Sequence, residues 1–213
     1  GSSRVIERLI MLKGRYMFNM ATVTDTLNIK STFLSDAFSS LRPHEKVMVE
    51  NMYENKLSLF FSDLFSSDSA LHKKAQQAIS NIYFGTTGAA ALNNAIHRLS
   101  IKDKDYFDSK ARLISELGFI KDSVTDDIPV YLKNIYEQTA DTSMFQNEAI
   151  MALARLKTTG SFKILKELML QDPPIFKEED DYEIFFWHLR DSMELSKSLF
   201  PQVLQLSTLS DYK

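Results

Sequence analysis

The amino-acid sequence predicts an all-α fold of stacked helical hairpins, and three features point there. Glycine and proline number only 6 and 5 in 213 residues, less punctuation than a sheet-rich chain of this length needs. The stretch from Gln146 to Gln171 reads as two short amphipathic helices joined at Thr158-Thr159-Gly160. That hairpin also recurs. Ala75, Ala111, Ala149 and Phe185 stand at successive offsets of 36, 38 and 36 residues, with Ala78, Ile114, Ala152 and His188 following at the same offsets. Thr86-Thr87-Gly88 precedes Thr158-Thr159-Gly160 by 72 residues, two periods of 36.

Taken in order, Gly1-Ser2-Ser3 resembles the remnant of a cleaved tag and is set aside. Val5, Ile6, Leu9, Ile10, Met17 and Met20 have nearly the three-and-four spacing of an amphipathic helix over residues 5–20. A Thr- and Asn-rich connection leads to a short helix over 31–41, which Arg42-Pro43 breaks. Pro43 and Glu45 suit the first turn of a third helix running to about Phe65. Residues 4–67 are thus expected to form a helical cap on residues 68–210, a single continuous domain being expected. The first hairpin is expected over 70–83 and 89–99, with Gly85-Thr86-Thr87-Gly88 as its turn. The second covers Tyr106 to Leu117, ended by Gly118, and Asp127 to Gln138, with Asp127 as N-cap and Pro129 in the first turn. In the third, Ser143 and Gln146 have capping-box spacing, and Asp172-Pro173-Pro174 stops its second helix. The fourth spans 181–193 and 198–209.

Through KKAQQAISNIY, TTGAAALNNAIHRL and NEAIMALARLKTTGSFKILKELML, residues 68–210 resemble the HEAT and armadillo-like superfamily of two-helix repeats. The second hairpin departs most from the pattern, because it lacks the Thr-Thr-Gly element and carries the longer linker 119–126. The resemblance implies a right-handed α-solenoid of about four repeats whose second helices line a concave binding face. On that face the polar positions are Asn94, Lys133, Asn134, Glu137, Lys163 and Lys166.

Apolar residues make up 44% of the chain and charged residues 25%, the proportions of an ordinary folded domain. A net charge of -3 supplies no field to draw the chain to nucleic acid. The acidity lies toward the C-terminus, where residues 141–213 carry 8 basic and 12 acidic side chains. The absence of cysteine excludes thiolate catalysis, disulfides and cysteine zinc sites, and is compatible with either a cytoplasmic or an exported protein. No apolar run approaches the ~18 residues of a membrane span. The chain is expected to be soluble and part of a larger protein.

Motifs for chemistry are lacking. His44, His72, His97 and His188 fall in separate elements, and His44-Glu45 fails the zinc-protease pattern because Met48 stands where its second histidine belongs. His188 is expected to be a core or interface histidine satisfied by a neighbour. The run Glu178-Glu179-Asp180-Asp181 lacks the alternation and glycine of a calcium loop and suits a solvated helix start. Neither Thr-Thr-Gly segment has phosphate-loop spacing. In Phe185-Phe186-Trp187, successive side chains are about 100° apart on a helix, so the three rings cannot face one neighbour. Phe186 and Trp187 are therefore added to the candidate partner-binding residues.

The resulting expectation is a protein- or peptide-binding scaffold with no catalytic residues, cofactor or metal. The alternatives are an enzyme acting on nucleic acid, since some HEAT-like proteins are DNA glycosylases with a basic concave groove, and a purely structural spacer.

Overall fold

A computed structural model of the protein describes residues 3–13, 16–25, 32–42, 55–120, 127–140, 142–176 and 178–210. It is mostly helical, with one small two-stranded sheet. The chain forms two compact units, Gly1–Lys56 and Leu57–Lys213.

The first unit corrects the expected N-terminal helix. Arg4–Lys13 (β1) and Tyr16–Asp25 (β2) form an antiparallel hairpin in which Leu9 pairs with Met20 and Lys13 with Tyr16. Alternate residues share a face of a strand, and Leu9, Met11, Phe18 and Met20 are the half-buried set while Ile6, Ile10, Met17 and Val23 are exposed. The apolar residues that suggested one helical stripe are thus distributed over both faces of a ribbon. Thr32–Ser40 (α1) is helical, close to the expected 31–41. Residues 43–54, the start of the expected third helix, and with them His44, lie outside the described residues.

The second unit begins with Leu57–Leu64 (α2), whose Phe60 and Leu64 are buried. Asp68 caps Ser69–Ala78 (α3), its carboxylate accepting from the backbone N–H groups of Ala70 (2.8 Å) and Leu71 (3.3 Å). A 3-10 turn, Ile79–Asn81, leads to Gly85–Arg98 (α4). Tyr106–Leu117 (α5), Asp127–Gln138 (α6), Ser143–Leu156 (α7), Thr159–Gln171 (α8) and Glu179–Arg190 (α9) follow. The second helix expected over 198–209 is replaced by a short helix, Met193–Ser196 (α10), and the 3-10 turns Lys197–Leu199 and Gln202–Thr208.

Both Thr-Thr-Gly segments are helix starts, not interhelical turns. Each follows a residue in the left-handed region, Gly85 (φ 57°) and Lys157 (φ 52°), which reverses the chain just before them. Thr158 then caps α8 reciprocally with Ser161: the Ser161 N–H donates to Thr158 Oγ1 (3.0 Å) and the Thr158 N–H donates to Ser161 Oγ (3.1 Å). The capping box expected at the start of α7 is not formed. The residue before that helix, Thr142, makes no side-chain cap, and Gln146 instead donates to the Tyr136 carbonyl (3.1 Å), tying α7 to the end of α6.

Packing is between near neighbours in sequence. Helices α5, α7 and α9 form one row, each touching the next, and α6 touches α8 in a second, with α7 also against α6 and α8. α7 is buried all round, from Ala149 through Ala154 without a break. The aligned positions Ala75, Ala111, Ala149 and Phe185 are all buried, so the 36-to-38-residue spacing follows the packed face. Gly118 closes α5 as expected, and a Cβ there would lie 2.8 Å from Ala152 Cα and 3.0 Å from its carbonyl oxygen on α7. The close approach of two backbones, and not an unusual dihedral, requires this glycine. Gly118→Ala should therefore lower stability by about 1–3 kcal/mol through overpacking. Urea denaturation of the variant checks this, and an unchanged midpoint would refute the close contact.

Candidate functional site

Side chains of α4, α6 and α8 form a candidate face of the second unit. Its links are specific: the His97 ring on α4 lies 5.3 Å from the Tyr131 ring on α6, and Lys133 Nζ on α6 donates to Glu167 Oε2 on α8 at 2.9 Å. Residues three and four apart share a helix face, so Val130, Asn134 and Glu137 make one stripe of α6 and Lys163, Glu167 and Leu170 one stripe of α8. Val130 and Leu170 are about half exposed, at 49% and 47%. They place apolar contact area among the charges.

Lys133 is shared between two carboxylates, with Glu137 Oε1 at 3.8 Å as well. The hydrogen bond from Lys133 holds the Glu167 carboxyl below its ordinary range, and that bond in turn raises Lys133. Lys163 adds to the field lowering Glu167. Lys166 turns away, donating to the Ser198 carbonyl at 2.8 Å. Asn94 is exposed on α4, one turn before His97. Five of the expected polar positions thus belong to one face, while Lys166 braces the C-terminal turns.

The aromatic run of α9 separates as its helical spacing requires. Phe185 is fully buried against Phe176 (ring centroids 5.6 Å), Phe186 is half-buried toward α10, and Trp187 is 51% exposed beside the His188 ring (5.0 Å). Tyr182 packs edge-on against Phe176 (4.9 Å), and its hydroxyl accepts from the Phe176 N–H (3.2 Å). Glu179, Asp180 and Asp181 occupy the first turn of α9, where carboxylates suit the partial positive charge of the helix start.

A second group of polar side chains, absent from the sequence expectations, lies across α5, α7 and α9. Arg155 donates through Nη1 to Ser115 Oγ (2.5 Å) and through Nε to His188 Nε2 (3.4 Å), and its guanidinium stands 4.0 Å from Glu148 Oε2. His188 is therefore satisfied by a neighbour at one nitrogen, whereas its Nδ1 is buried without a partner. Burial pushes the Glu116 carboxyl up to about 7, Arg155 opposing and Glu148 reinforcing the rise, while a hydrogen bond with Ser80 lowers it. Burial, with Arg155 and Lys157 alongside, lowers His188. The group was hidden because most of its contacts join different helices, Glu116–Glu148, Arg155–His188 and Ser115–Arg155 standing 32, 33 and 40 residues apart, with Glu148–Arg155 alone lying within one helix. Among the described residues no cluster of three or more His, Asp or Glu side chains has metal-holding geometry. Among the described residues no helix is long and apolar enough to cross a membrane.

Comparison with protein-family models, curated proteins and solved structures finds no match to the chain.

The folded protein holds the Glu116 proton more tightly than the unfolded chain does. Its contribution to stability is fully present below the unfolded value of about 4.5 and is lost as pH rises through about 7. The lowered His188 works in the opposite sense, its contribution being lost as pH falls below its ordinary value of 6.5. Glu116→Gln should remove the first effect, flattening the decline in urea midpoint over that range and raising stability above neutrality. An unchanged pH profile would show that the buried carboxyl does not set it.

Proposed function

We propose that the chain is a HEAT/armadillo-like module, a right-handed α-solenoid of about four two-helix repeats, which holds a protein or peptide partner along its row of second helices. Neighbour-only packing supports the repeat reading, because each unit of a solenoid buries its core against the next. So does the recurrence of a left-handed residue before Thr-Thr-Gly at Gly85 and Lys157.

The observation that carries the binding function is the α6–α8 face, where the Lys133–Glu167 bridge is flanked by exposed Val130 and Leu170. Apolar contacts set among partly compensated charges match the composition of protein-recognition surfaces, which are about as apolar as the rest of a protein exterior. A nucleic-acid groove would instead need cations free to meet phosphates, and Lys133 is committed to two carboxylates.

A photo-crosslinking residue placed at Lys163 should capture a partner in cells that produce the protein, and the same residue at exposed Arg112 on α5 should not. Capture at Arg112 alone would move the binding surface to the first helices. Background labelling at both positions would leave the chain a structural spacer.

A further inference from the structure

A cavity of about 460 Å³ opens between α9, α10 and the 3-10 turns that follow. Leu189, Leu199 and Leu206 are buried in its floor, and Met193, Phe200 and Leu204 stand largely exposed around it. The volume lies within the ~300–1,000 Å³ of small-molecule sites. Among the described residues none of α6 or α8 lines it, and the occupant proposed here does not rest on the function proposed for the α6–α8 face.

The polar side chains of the lining determine what it can accept. Ser196 Oγ donates to the Leu189 carbonyl (2.5 Å), Ser207 Oγ to the Leu204 carbonyl (2.7 Å), and Lys197 Nζ is paired with Glu194 (2.7 Å). These groups are used within the protein. Among the described lining residues, only the Arg190 guanidinium is a charged group with no ion pair or hydrogen bond. An apolar trough with one uncommitted cation suits a ligand with a hydrocarbon body and a single negative charge. It offers little to a sugar or nucleobase, whose many polar atoms would lose water without gaining partners.

We propose that this cavity binds a single-chain carboxylate amphiphile of the fatty-acid class, with its chain along the leucine floor and its carboxylate on Arg190. Arginine's planar fork of N–H donors matches a carboxylate. A cavity of this volume fits one free chain.

Calorimetric titration of the full chain with monomeric decanoate, dodecanoate and decanol tests this, alongside Arg190→Gln and Ser207→Trp, each verified as folded by circular dichroism. Saturable binding is expected, tightening about fourfold per added methylene and roughly fivefold weaker for decanol than for decanoate. Arg190→Gln should abolish the preference for acid over alcohol, and Ser207→Trp, which fills the trough, should weaken both about tenfold or more. The proposal is overturned by absence of saturable binding, by equal affinity of the wild-type protein for acid and alcohol, or by undiminished binding to folded Ser207→Trp. Binding to anionic phospholipid vesicles without binding to monomeric dodecanoate would also overturn it.

Discussion

The second unit depends on the burial of α7. A helix that is apolar on one stripe needs one neighbour, but a helix buried on every side must be surrounded, and α7 touches α5, α6, α8 and α9. Its small residues make this possible. Ala149 and Ala152 are fully buried, and the C-terminal end of α5 comes so near that Gly118 has no room for a side chain beside Ala152. Leu153 and Ile150 fill the remaining directions. Protein interiors pack as densely as organic crystals, so the spacing of α5 and α9 about α7 leaves little tolerance for added volume.

Hydrogen bonds join the helices where their apolar stripes end. The Tyr136 hydroxyl donates to the Asp172 carbonyl (2.7 Å), linking the end of α6 to the end of α8, while Gln146 secures the start of α7 to the Tyr136 carbonyl. Near the other end of the row, Gln76 donates to Ser109 Oγ (2.8 Å), joining α3 to α5 through buried side chains. These bonds satisfy polar groups that would be costly to bury alone. The Glu116, Glu148, Arg155 and His188 group is less completely satisfied, since Glu148 Oε2 and His188 Nδ1 lack hydrogen-bond partners. Partly satisfied ionisable groups couple the packing of α5, α7 and α9 to pH.

Two kinds of surface result from one helical scaffold. The α4–α6–α8 face is polar with isolated apolar residues, and its charges are largely committed to each other. The trough beyond α9 is the reverse, apolar with one uncommitted cation. The difference arises where regular pairing stops: among the described residues that follow α9, only α10 and 3-10 turns pack against Phe186 and Leu189, and no second helix of comparable length does. Shorter elements cover less area, and a cavity remains.

Periodic apolar positions made the helices over 106–117, 127–138 and 143–156 and most of the one over 159–171 legible in the sequence, because amphipathic spacing is a local property; the capping box expected at Ser143 and Gln146 did not form, and the start of the last helix was read as part of a turn. The buried alignment of Ala75, Ala111, Ala149 and Phe185 was legible for the same reason. The hairpin at 4–25 was not, since the contiguous run Leu9 to Leu12 satisfies a helical stripe and a two-faced strand equally well, and only cross-strand pairing separates them. Nor was the role of Thr-Thr-Gly, whose sequence marks a boundary without saying which side of it is helical. The Lys133–Glu167 bridge, the Arg155–His188 contact and the trough at Arg190 were decided by tertiary structure alone. Each joins side chains from different elements, and their meeting depends on how far apart and at what angle the helices pack, which no single stretch of sequence encodes.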